Sequence, residues 1–218
     1  MTLALFAHPF SSYCQKALIA LWEKDIAFDY RMLGPEHPEN FAGLKERWPF
    51  GQFPLLTDGD AQWAEATIII EHLDIAFGEP PRMLPADPAA ALPIRLLDRV
   101  FDNQVMNPLQ RIVGDFIRDP ADRDPTGVAR DHARLDIAFD WLEQQLGDDG
   151  WIAGDFSLAD CAAGPALFYA DWVHPIGPAR PRLAGYRARL NARPSIARAI
   201  EEARPFRSLF PPGAPDRD

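Results

Sequence analysis

The stretch HPFSSYCQKALIAL, residues 8–21, puts two serines and a cysteine at the entrance of an apolar helical pattern. A serine hydroxyl at a helix start can accept a backbone N–H, which stabilises the helix by about 1 kcal/mol. It can also donate to an anion held beside the free N–H groups of the first turn. The spacing S-x-x-Q predicts a capping box, with Ser12 as N-cap and Gln15 reaching back, which leaves Ser11 free to face a ligand. Cys14 begins an apolar stripe with Ala17, Leu18, Leu21 and Trp22, so it is expected in the core as an inert thiol, with Lys16 and Glu23 in water.

The elements that must hold these residues are legible around them. LALFA at 3–7 is a short apolar run compatible with a buried strand. AFDYRML at 27–33 alternates as a half-buried strand does, and FPLLTDGDAQWAEA predicts a hairpin: a strand at 53–56, a turn at DGD and a strand through Trp63. The helical pattern of TIIIEHLDIAF follows. The order β, α, β, an irregular or helical segment, then β, β, α closes one small sheet covered by helices. Prolines concentrate in GEPPRMLPADPAAALP, as at a domain boundary. Beyond it, helical stripes near 93–117, 126–146, 158–171, 181–192 and 194–204 predict an all-α bundle. We therefore expect a first domain at 1–78, a linker at 79–92 and a helical domain at 93–218. The C-terminal PPGAPDRD has little to bury and is expected to fray.

Composition bounds the function. Hydrophobic residues make up 47% and charged residues 25%, values of an ordinary globular chain. The net charge of −10 opposes binding to nucleic acid or anionic lipid. No apolar run reaches the eighteen or so residues that span a bilayer, and the start lacks the basic region of an export signal. The two cysteines, Cys14 and Cys161, read as lying on separate helices, and a reducing cytoplasm fits. The histidines show no metal-ligand spacing, so no metal is expected.

Three motifs in this order resemble the soluble glutathione transferase family, a thioredoxin-like βαβ-ββα domain followed by an all-helical domain. SSYCQKALIAL is similar to its active-site loop and first helix, GQFPLL to its G-x-V-P segment before the third strand, and WIAGDFSLADCAAGPAL to its G-D-x-x-S-x-A-D signature. RMLPADPAA at the linker matches too.

The resemblance implies a site. Ser11 takes the position of the catalytic hydroxyl, which donates to the glutathione thiolate. Lowering a thiol pKa by about two units from ~8.5 corresponds to roughly 2.7 kcal/mol of preferential thiolate stabilisation. Ser11 and Cys14 occupy the two cysteine positions of a C-x-x-C motif, so a dithiol cycle is excluded. Phe53 before a cis Pro54 pairs with the cysteinyl backbone, and Gln52 reaches the glycine carboxylate. Glu65 and the Ala66 N–H hold the γ-glutamyl end, where the family has Glu-Ser; Thr67 is the candidate to replace the missing hydroxyl. Trp48 replaces the asparagine of the family's N-P-x-G segment. An apolar small-molecule electrophile is expected beside Phe10, Phe101, Met106 and Gln110, residues that core packing explains equally well. Ser157 with Asp160 is a capping box without catalytic meaning.

The implied protein is a homodimeric glutathione S-transferase. One alternative is a zeta-type cis–trans isomerase, because SSYCQK is similar to that class's S-S-C-x-x-R segment, although Tyr13 and Lys16 depart from it. The other is a non-catalytic binding or regulatory protein on the same fold, motivated by Ala66 and Trp48.

Overall fold

The computed structural model describes residues 3–218. Strand β1 (Leu3–Ala7) leads into helix α1 (Ser12–Glu23) and strand β2 (Asp29–Met32). Helix α2 (Pro38–Arg47) precedes the hairpin of β3 (Leu55–Asp58) and β4 (Ala61–Ala64), and helix α3 (Ala66–Ala76) completes the first half. The sheet order is β2-β1-β3-β4, with β2 parallel to β1 and β3 and β4 antiparallel. Strands β1 and β2 lie within the predicted runs, whereas β3 is shifted from the predicted 53–56: Phe53 and Pro54, joined by a cis peptide, stay outside the ladder, and pairing with β1 runs on through Asp58. The loop after β2 contains α2, whose Leu44 packs with Phe6, Leu33 and Leu55 on one face of the sheet. Leu5 and Ala7 point to the other face, under α1 and α3. Covered on both sides, β1 reads as a continuous apolar run rather than an alternation.

The second half comprises α4 (Pro88–Val100), a π-helical stretch Phe101–Met106, α5 (Asn107–Ile117), α6 (Pro125–Gln145), α7 (Leu158–Val173), α8 (Pro181–Ala192) and α9 (Pro194–Ala203). Helix α4 begins at Pro88, inside the stretch read as linker, because Asp87 caps it through the Ala89 and Ala90 N–H groups. The Asp74 carboxylate accepts N–H bonds from Met83 and Leu84 at 3.1 and 2.7 Å, holding the connecting segment against α3. In α7 the Asp160 carboxylate accepts the Ser157 N–H at 2.9 Å and the Tyr186 hydroxyl at 2.5 Å, so the capping box also ties α7 to α8.

Helix α1 is not a surface helix with one apolar stripe. Every residue from Cys14 to Leu21 is buried, Gln15 and Lys16 included, because α1 lies between the sheet, α3, α7 and α9. Glu23 is also withdrawn from water, paired with Arg193 at 2.6 Å. The C-terminal PPGAPDRD, expected to fray, lies folded back on the helices: Asp218 pairs with Arg204 at 2.8 Å, and Arg217 donates to the Asp171 carbonyl at 2.7 Å.

Candidate active site

Ser11, not Ser12, is the N-cap of α1. Its carbonyl accepts the first helical bond from the Gln15 N–H at 2.9 Å, and its hydroxyl oxygen accepts the Cys14 N–H at a long 3.4 Å. The predicted Ser12–Gln15 capping box does not form. The Gln15 amide donates instead to the Pro9 carbonyl at 2.8 Å and to the Tyr169 hydroxyl at 3.0 Å, and Tyr169 donates to the Phe10 carbonyl at 3.2 Å. Buried acceptors without a partner are costly, and they capture Gln15. The consequence for the site is rigidity, since α7 holds the loop that presents Phe10 and Ser11. Capping leaves the Ser11 O–H hydrogen free, so the residue both starts the helix and keeps a donor.

The Cys14 thiol is fully buried and accepts the His8 N–H at 3.4 Å. Burial pushes its pKa up to about 12, and burial also raises that of Cys161. Neither is a thiolate at neutral pH.

Ser11 opens on a cleft of about 510 Å³, lined also by Tyr13, Trp48, Gly51, Gln52, Phe53, Pro54, Ala64, Glu65, Ala66 and Gln110. The structure thus brings together Ser11, Gln52, Phe53, Pro54, Glu65 and Ala66 from three separate stretches of chain. The Phe53–Pro54 peptide is cis, and Gly51 takes a φ of 66° in the turn before it. Glu65 has a φ of 68°, a left-handed backbone uncommon outside glycine. Strain of this kind persists where the surroundings enforce it and clusters at functional sites. Here it delivers the exposed Glu65 side chain and the first N–H groups of α3 to the cleft.

Thr67 does not replace the missing serine. Its hydroxyl accepts from Lys16 Nζ at 2.9 Å and lies 3.0 Å from Asp98 Oδ2, within a charged cluster behind the cleft. Lys16 pairs with Asp98 at 2.5 Å and Asp102 at 2.8 Å, and Arg99 contacts both carboxylates at 2.6 and 2.5 Å. This cluster was not legible in the sequence, where Lys16 reads as a solvated helix position.

An apolar groove of about 210 Å³ adjoins the cleft, lined by Phe10, Ser12, Met106, Leu109, Gln110, Val113, Gly114, Ile117, Tyr169 and Phe210. Gln110 borders both spaces. Of the expected second-pocket residues Phe10, Met106 and Gln110 meet here, but Phe101 is fully buried in the helical core and lines neither space. A helical stripe does not say which apolar residue faces a groove. Tyr13 was also missed as a cleft residue. Burial first, then the Asp102 carboxylate, push its phenol up to about 12, which makes it a permanent donor rather than a base.

Two helix N-termini, a free serine O–H and an exposed carboxylate meet around one cleft, an arrangement able to hold an anion at each helix start and a cation at Glu65. The chain belongs to the glutathione S-transferase family. Residues 5–81 match the description "Glutathione S-transferase, N-terminal domain", and residues 125–189 match "Glutathione S-transferase, C-terminal domain". Among its relatives, glutathione S-transferase F6 of Arabidopsis thaliana is 27% identical over 214 residues, covering 90% of this chain and 98% of the relative. A stringent starvation protein A homolog of Coxiella burnetii is 27% identical over 166 residues, covering 76% and 75%. A crystal structure of a glutathione S-transferase from Methylobacterium radiotolerans in complex with glutathione sulfonate superposes with a TM-score of 0.79 at 26% identity, covering 92% of this chain and 95% of that one.

Proposed function

We propose that the protein is a glutathione transferase in which Ser11 stabilises the glutathione thiolate and the adjoining groove presents it to a small apolar electrophile. The observation that carries this reading is the meeting of the Ser11 hydroxyl with the N-terminus of α3 across one cleft that opens onto an apolar groove. Glutathione lies with its sulfur at Ser11, its cysteinyl backbone along Phe53, its glycine carboxylate near Gln52 and its γ-glutamyl end at Glu65 and Ala66. The thiolate attacks the electrophile, forming a carbon–sulfur bond by addition or by displacement of a leaving group. The first half of the chain, to residue 78, binds glutathione, and the helical half supplies the electrophile's groove.

The active unit is a homodimer. Ile68 and Ile75 on α3 and Leu92 and Leu96 on α4 are exposed on helices joined by the Arg95–Glu71 ion pair, as is Phe50 ahead of β3. A second copy would cover them. The buried, unpaired cysteines suit a reducing cytoplasm.

Calorimetry with glutathione, followed by an electrophile screen with and without it, tests the reading. Millimolar binding and glutathione-dependent consumption of an electrophile are expected. Ala66 and the likeness to the starvation-protein homolog favour a second reading, a non-catalytic protein on this fold. That reading takes over if glutathione does not bind.

A further inference from the structure

The family's serine hydroxyl at the γ-glutamyl end is absent in this chain, and neither neighbour restores it. Residue 66 is alanine, and Thr67 is engaged by Lys16 and Asp98. Arg99, the nearby cation, is bound to Asp98, Asp102 and Thr67 and does not line the cleft. The other polar side chains of the cleft have places along the ligand. Ser11 stands at the sulfur, Trp48 and Gln52 flank the turn before Pro54, and Gln110 borders the apolar groove. Glu65, as an anion, suits the ammonium and repels a carboxylate.

Tyr13 remains. It projects from the first turn of α1 into the same cleft as Glu65 and Ala66, half-buried, and no hydrogen bond among the described residues occupies its hydroxyl. Tyr13, Glu65 and Ala66 line the same cleft, and the Lys16, Asp98 and Asp102 cluster lies behind it. Its phenol stays protonated across the physiological range, so it has a hydrogen to give an anion at any working pH.

We infer that the Tyr13 hydroxyl donates to the α-carboxylate of the γ-glutamyl group, supplying from α1 the hydrogen bond that the serine at position 66 supplies elsewhere in the family. The inference rests on the cleft being the glutathione site. Tyr13 therefore governs affinity for the amino-acid end of the ligand and leaves ionisation at the sulfur to Ser11.

The test is calorimetry with S-methylglutathione, which keeps the γ-glutamyl end and has no thiol to ionise. Tyr13→Phe is expected to weaken binding by roughly tenfold or more, the loss of one hydrogen bond to a charged group. Ser11→Ala is expected to weaken binding of this probe less than Tyr13→Phe does, and that loss is not expected to be rescued by Ala66→Ser. Ala66→Ser is expected to restore binding in the Tyr13→Phe protein and to add little to the wild type, a non-additivity that reports a shared role. Because the rescue is read within the Tyr13→Phe background, a general loss of fold cannot imitate it. Unchanged affinity in Tyr13→Phe, or an equal gain from Ala66→Ser in both backgrounds, overturns the inference while the glutathione reading stands. A wild type that binds neither glutathione nor the probe at millimolar concentration overturns both.

Discussion

The Lys16 ammonium lies 2.5 Å from Asp98, with both side chains out of water, at 1% and 0% exposure. With Asp102 and Thr67 this pair joins α1, which carries Ser11, to α3, which carries Ala66, and to α4. The distance between the two helix N-termini facing the ligand is thereby set from behind the cleft. Charges taken from water gain stability only when every partner is present, and removing one leaves the others uncompensated.

Lys16→Met is therefore expected to cost about 3–5 kcal/mol, seen as a lowered denaturation midpoint in urea. Replacing Lys16, Asp98 and Asp102 together by apolar residues of similar volume is expected to recover most of that loss. If Lys16→Met alone is as stable as the wild type, the cluster is not holding the helices.

The two serines should separate differently from what their sequence spacing implies. Ser11→Ala removes both the α1 cap, about 1 kcal/mol of stability, and the donor at the sulfur. Loss of roughly 2.7 kcal/mol of thiolate stabilisation corresponds to about a hundredfold fall in glutathione-dependent turnover at neutral pH. The pH–rate profile of the variant should rise about two units later than that of the wild type. Ser12→Ala, outside the cap, should stay within about 0.5 kcal/mol of wild-type stability and keep its activity. Equal, small losses from both variants would contradict the roles assigned here.

Local patterns carried much of this fold, and their limits are physical. The β-α-β, β-β-α order was readable because strand and helix periods differ and Gly and Pro mark the turns. The Ser157–Asp160 box was readable because both members sit on one turn of chain. Lys16 was not readable, since nothing within α1 says that Asp98 and Asp102, far along the chain, will neutralise it. The Ser12–Gln15 spacing misled for the same reason: Tyr169 and the Pro9 carbonyl compete for Gln15, and one of them comes from the other half of the molecule. Phe101 and Met106 begin and end one short π-helical stretch, and only the packing of α4, α5 and α7 around it decides which of them meets the groove.

Between α6 and the end of α7, His132 and His174 face each other through their Nδ1 atoms at 3.0 Å, and Asp136 holds His174 Nε2 at 3.0 Å. Arg180 pairs with the same Asp136 at 2.8 Å. Burial first, then the charge of His174, lower the His132 pKa from 6.5, against the opposing pull of Asp136 and Asp131. A histidine with a depressed folded pKa binds fewer protons folded than unfolded. Its contribution is present above about pH 6.5 and is lost as pH falls through the folded value. Urea midpoints should thus fall as the pH drops below about 6.5, and His132→Gln should flatten that slope. His8 and His72, also lowered by burial, retain part of it. An unchanged slope in His132→Gln would remove the pair from the explanation.

The apolar face of α3 and α4 gives a prediction about assembly. Leu96 is 59% exposed and Ile75 80% exposed, an arrangement that charge would make incompatible with burial against a second chain. Light scattering should give twice the chain mass for the wild type and the single-chain mass for Leu96→Glu. A monomeric wild type would leave this face without the proposed partner.

Met106 and Phe101 finally distinguish groove from core. Met106 lines the apolar groove beside Phe10 and Gln110, whereas Phe101 lies wholly within the helical core. Truncating a buried aromatic removes its transfer free energy and leaves a cavity, so Phe101→Ala should cost about 3–5 kcal/mol. Because Phe101 borders neither the cleft nor the groove, the relative rates with different electrophiles should be preserved in the folded fraction. Met106→Ala should widen the groove and shift those relative rates toward bulkier electrophiles, with KM for glutathione little changed. The measurement is kcat/KM for a size series of electrophiles with each variant. A shifted preference in Phe101→Ala, or none in Met106→Ala, would reverse this assignment of groove and core.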